Sequence, residues 1–143
     1  MQPKTSTKIF QYLAGFASIY HLMLGLIGIF GTTNFIVIVV NKVYGVIPTV
    51  NAQFLYLAKF ISVYFIVFAV AMAILAWKPI QYRNLVWLPI TLFGIRIIQR
   101  LVFFNLLNEA FGTSMARNLQ VLIPISIFLI AFIILKPKAE TQS

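Results

Sequence analysis

The chain has 143 residues, of which 62% are apolar, and it carries a formal charge of +9 with no cysteine and no aspartate. Soluble domains run at about 45–50% apolar, so with a mean hydropathy of +0.99 water is not the main solvent of this one. The missing side chains exclude disulfides, thiolate chemistry and cysteine-ligated metals, and Glu109 and Glu140 as the only carboxylate side chains leave no material for paired-carboxylate hydrolysis or a nucleophilic triad. Nucleic acid is excluded as a partner because the Lys and Arg residues fall at helix ends or inside apolar runs, not on one soluble face.

In chain order, the first apolar run is Ile9 to Phe30, preceded by Lys4 and Lys8. It is too long for a signal peptide and lacks a small-x-small cleavage site, so an uncleaved span is expected. The segment Gly31 to Gln53 holds the β-branched run Phe35-Ile36-Val37-Ile38-Val39-Val40. This predicts a short apolar outer element, about Asn34 to Val50, with a strand favoured over a plain loop and an interfacial helix left open; Asn41-Lys42 and Pro48 speak against a fifth crossing. A second span is expected over Phe54 to Trp77, closed by Lys78-Pro79, and a third over Leu85 to Leu107, with Pro89 in its first turn where a missing amide proton is tolerated. The fourth, Leu119 to Leu135, sits at the lower length limit of a span and stops at Lys136-Pro137.

The expected fold is therefore all-α, a single domain over 1–143 forming a four-helix transmembrane bundle. No internal repeat or linker divides it. Tyr12, Tyr56, Trp77, Tyr82 and Trp87 lie near span ends, as interfacial aromatic belts do. Lys4, Lys8, Lys78, Arg83, Lys136 and Lys138 fall on one side of the bundle against Lys42 and Arg117 on the other. The positive-inside rule then predicts an inner (cell) membrane protein with both termini cytoplasmic.

Ionisable groups within spans are the candidates for function, because in lipid they are costly unless they face the bundle or a cavity. Arg96 and Arg100 stand one turn apart with Gln99 between them, and Arg96 falls near mid-bilayer. A central Arg costs roughly 2.5–3.5 kcal/mol on insertion scales, so an anionic or strongly accepting group should meet this pair. Glu109 lies about 13 Å further along the axis, too far to be that group. Lys59 is expected at a depth similar to Arg100, on a face running through Ser62, Ala69, Ala73 and Ala76. His21 lies on a stripe with Ala14, Ala17, Ser18, Gly25 and Gly28, where small residues permit close helix contact.

Together His21, Lys59, Arg96, Gln99 and Arg100 compose a candidate site for an anion, a lipid, a quinone carbonyl or a partner's carboxylates. A plainer alternative has His21 bonded to a backbone carbonyl while Lys59 and Arg100 snorkel outward; mid-bilayer depth closes that route to Arg96. Haem or a chlorophyll magnesium is disfavoured, since His21 has no second ligand.

The four compact spans, the apolar element after the first, Tyr56-Leu-Ala-Lys59 opening the second, and Gly94-Ile-Arg96 with Arg100 in the third resemble the DoxX-like small membrane proteins. In that family an Arg is expected where this chain has Lys59. The resemblance implies the fold and, for some members, association with quinone-linked oxidoreductases. Weighed together, these features favour a non-catalytic accessory or scaffolding subunit that contacts membrane lipids and other membrane protein subunits. The alternative is a DoxX-like protein binding a lipid or quinone in an intramembrane cationic pocket.

Overall fold

The computed structural model describes residues 5–137. Lys4, Lys138 and Glu140, which entered the sequence reading, lie outside the described residues. The elements are α1 (Thr5–Phe30), α2 (Thr33–Tyr44), α3 (Ala52–Trp77), a 3-10 turn (Arg83–Val86), α4 (Trp87–Val102), α5 (Phe104–Phe111) and α6 (Met115–Ile134). Four helical segments are long and apolar enough to cross a membrane: Ser6–Phe30, Ala52–Trp77, Arg83–Val102 and Met115–Ile134. Among the described residues there is no strand.

The main interface joins α1 and α3. Gln11 Nε2 donates to the Ala76 carbonyl (3.0 Å), Ser18 Oγ to the Ala69 carbonyl (2.8 Å), and Gly25 and Gly28 lie against Ser62. Pairing numbers that fall on one helix as they rise on the other make the two antiparallel. The small-residue stripe of α1 is buried as expected, Ala14, Ala17, Ser18, His21, Gly25 and Gly28 included. The face proposed for α3 is not one face, however: Ser62 and Ala69 are buried whereas Lys59 and Ala73 are exposed. Helices α4 and α6 form the second antiparallel pair, and aromatic contacts seal it to the first. Phe10 meets Phe132 edge-on at 5.8 Å, Phe16 stacks on Phe128 at 5.8 Å, and Phe68 meets Phe93 at 6.3 Å.

Three expectations are corrected. The segment after α1 is a helix, neither a strand nor a loop: Thr32 caps its start by accepting from Phe35 N, and Gly45, at φ 68°, ends it in the left-handed region that glycine enters without a Cβ penalty. β-propensity expresses a fit to a pleated surface, and no other strand exists here to supply one. In apolar surroundings a helix satisfies its own backbone, and an isolated strand does not. The third span ends at Val102, not Leu107; the chain turns at Phe103, and Glu109 sits on a separate helix, α5, that has no buried residue. The fourth span starts at Met115, four residues before its first expected residue, because the Ser114 hydroxyl accepts from Arg117 N and caps the helix ahead of the apolar run. This brings Arg117 and Asn118 onto helix.

Candidate functional site

The end of α2 is where the polar groups of the bundle converge. A helix leaves its last carbonyls without intrahelical partners, and these carry the negative end of its dipole. Three side chains from elsewhere in the chain answer them. Arg117 Nη2 donates to the Asn41 carbonyl (2.9 Å), Arg100 Nη2 to the Tyr44 carbonyl, and Thr113 Oγ1 to the Gly45 carbonyl (3.2 Å).

Arg100, buried on α4, also donates from Nη1 to Asn118 Oδ1 on α6 (2.9 Å), while Asn118 Nδ2 donates back to the Arg100 carbonyl (3.4 Å). The accepting partner that the sequence demanded for Arg100 is thus neutral: a helix C-terminus and an amide. Neither snorkelling nor another chain is needed to satisfy this guanidinium.

Arg96, one turn earlier on α4, is left differently. Its guanidinium carbon lies 4.7 Å from the centroid of the Tyr44 ring, a cation–π contact. The Tyr44 hydroxyl is the nearest acceptor to its guanidinium, and Glu109, the one described carboxylate side chain, is exposed on α5. Arg96 also lies near enough to Tyr20, His21 and Tyr44 to act on each electrostatically. The Tyr44 hydroxyl is buried and has no hydrogen-bond partner of acceptable geometry.

Between α1, the end of α2, α4 and α6 these groups border a cavity of about 230 Å³. Its polar members are Arg96, His21 and Tyr20; the remaining wall is apolar and aromatic, with Phe16, Phe93 and Phe128 among its residues. Pro124 of α6 adds a wall position with no amide proton. Phe16 and Tyr20 are exposed on the flank of the bundle and form the rim.

His21 is buried, and its Nδ1 lies 2.8 Å from the Ala17 carbonyl. A carbonyl can only accept, so Nδ1 carries the proton and, in the neutral ring, Nε2 keeps its lone pair. The imidazole is held by Phe68, Tyr20 and Phe65 at 4.5, 5.4 and 5.9 Å between centroids. The cavity therefore offers a fixed cation and a fixed acceptor within aromatic walls.

The five candidate residues do not form one cluster. Arg96 and His21 share the cavity, and Arg100 backs it through α2. Lys59 is exposed, and its Nζ donates to the Ile29 carbonyl in the last turn of α1 (2.8 Å). Gln99 is exposed as well: at 100° per residue it lies on the opposite side of Arg96 from Arg100, so three polar residues in five do not make one face. Sequence reasoning missed Tyr20, Tyr44, Thr113, Arg117 and Asn118. Only Asn118 carried a signal, as an amide at the head of the last apolar run.

No group of His and acidic residues among the described ones could hold a metal ion. Comparison with known protein families, curated proteins and solved structures finds no match to this chain.

Proposed function

We propose that this chain is a small, non-catalytic polytopic membrane protein that binds one amphipathic molecule, a lipid or a quinone, by an oxygen-bearing head placed against Arg96 and His21. The observation that carries the reading is the Arg96 guanidinium, half-buried in the wall of a largely apolar cavity while Glu109, the one described carboxylate side chain, is exposed on α5. A phosphate, carboxylate or quinone carbonyl accepts from such a group, a singly protonated phosphate can also donate its P–OH to the His21 Nε2 lone pair, and the aromatic wall suits the apolar part of the same molecule. The DoxX-like arrangement of spans adds weight to a quinone among these. In this reading the protein sits in the inner membrane with both termini cytoplasmic.

The test is binding of dodecyl phosphate to the purified protein, with dodecylamine as the cationic counterpart. The wild type is expected to prefer the phosphate, and Arg96→Ala to weaken it roughly 10- to 100-fold, the worth of one or two charge-assisted hydrogen bonds. Equal binding of the two amphiphiles, or a variant that binds like the wild type, would overturn the proposal.

The accessory-subunit reading draws on the same guanidinium, now facing a carboxylate of another membrane protein. Affinity purification from native membranes separates the two. A second protein that co-purifies with the wild type and is lost on Arg96→Ala, with dodecyl phosphate binding unaltered, would favour the subunit.

A further inference from the structure

A second cavity, of about 290 Å³, lies between α1, α2 and α3. Its wall is almost wholly apolar, with Leu24, Ile36, Val40, Leu57 and Ile61 among its residues, and Gly28 and Ser62 at the close crossing of α1 and α3. Leu57 and Ile61 are exposed at its edge, so it is reached from the flank of the bundle.

Tyr44 joins the two cavities. Its ring lines the second while Arg96, which lines the first, lies against it. Behind it Phe65, stacked on Tyr44 at 6.4 Å between centroids and also part of the second cavity, stands 5.9 Å from the imidazole of His21. The partition is thus a few aromatic rings thick, and the hydroxyl of one of them has no hydrogen-bond partner.

We infer that the two cavities form one site for a single-chain anionic amphiphile, with its head at Arg96 and His21 and its hydrocarbon chain passing Tyr44 into the space between α1, α2 and α3. This rests on the reading of the Arg96 cavity as a head-group site and adds the class of ligand. The division of chemistry matches such a molecule: the cation and an imidazole lone pair that accepts from the P–OH of a singly protonated phosphate lie at one end, and hydrocarbon lies at the other. Size sets the number of chains. Ligand pockets span roughly 300–1,000 Å³, and each of these cavities is at or below the lower bound, enough for one chain and too little for two.

The experiment loads the purified full chain with an equimolar mixture of octyl, dodecyl and hexadecyl phosphate and reads the bound masses by native mass spectrometry, with inorganic phosphate supplied alone in a parallel sample. The wild type is expected to enrich one chain length at least severalfold over the supplied mixture and to show no retained inorganic phosphate. Leu57→Trp, at the exposed edge where a larger ring displaces little, is expected to abolish the enrichment while the variant still binds alkyl phosphate. Val39→Trp, across the same cavity on α2, is a second variant to the same end, and an unchanged helical circular dichroism spectrum establishes that each has folded.

If wild type and both variants carry the chain lengths in the supplied proportion, the chain site is overturned and the head site stands. If inorganic phosphate alone is retained as well as the alkyl phosphates, the ligand is a free anion and the inference falls. If Arg96→Ala loads like the wild type, the head-group reading fails with it.

Discussion

Arg100→Ala is expected to destabilise the protein by about 2–4 kcal/mol, measured by denaturant unfolding in a mild detergent, because it strips partners from two buried acceptors at once. The Asn118 amide, fully buried, loses the guanidinium that its Oδ1 accepts from, and the Tyr44 carbonyl loses its only capping side chain. Hydrogen bonds to charged groups contribute about 1.5–3 kcal/mol each in soluble proteins, but transmembrane hydrogen bonds measured in context average nearer 0.6 kcal/mol. The orphaned acceptors, more than the lost bonds themselves, decide the size. The same logic predicts that adding Asn118→Leu to Arg100→Met recovers part of the loss, since removing both partners costs less than removing one. A double variant as unstable as the sum of its single changes would show that the pair does not act as a unit.

Gly25→Leu should be comparably damaging, by prying α1 from α3. Even the first carbon of a side chain at Gly25 would stand 2.9 Å from the Ser62 carbonyl oxygen and 2.6 Å from Ile66 Cγ1. The side chain can yield, but the backbone cannot without moving α3. Gly28 is tighter still, since a Cβ there would overlap Ser62 Oγ outright and stand 2.8 Å from Ser62 Cβ. Overpacking of this kind costs about 1–3 kcal/mol for a small intrusion, so leucine at Gly25 is expected at or above the upper end. Gly15 supplies the opposite sign. Nothing lies within 4 Å of a Cβ built there, and Gly15→Ala is expected to stabilise α1 by up to about 1 kcal/mol through backbone entropy. Equal effects at Gly15 and Gly25 in the same unfolding assay would mean that close packing is not what holds α1 to α3.

These two positions also show how far the sequence could be read. The stripe Ala14 to Gly28 was legible, because small residues at helical spacing name a contact face before its partner is known. The four spans were legible for the same kind of reason: long apolar runs, two of them closed by Lys-Pro pairs, have few other interpretations. The helix from Thr33 to Tyr44 was not. Its β-branched run argues for a strand on local preference, and what overrides it is the absence of any strand to pair with and the caps at Thr32 and Gly45.

The site was legible in part for a related reason. Arg96 and His21 announce themselves as polar groups inside apolar runs, and the structure brings them to one cavity. Their surroundings come from Tyr44, 52 positions from Arg96 in the sequence, and from the end of α2, whose backbone carbonyls carry no mark in a sequence at all. For Arg100 the expected anionic or strongly accepting group is of the neutral kind, the Tyr44 carbonyl and Asn118. Helix periodicity gives the direction in which a side chain points but not what waits there. For that reason Lys59 and Gln99, plausible on depth alone, lie outside the cavity.

The central claim is that Arg96 holds the head of a bound molecule. Its most direct test is native mass spectrometry of the protein extracted in mild detergent, before any step that strips bound lipid. The wild type is expected to emerge carrying a discrete small mass, and Arg96→Ala, folded by circular dichroism, is expected to emerge without it. A wild type with nothing bound, or an Arg96→Ala protein carrying the same mass, would contradict the account.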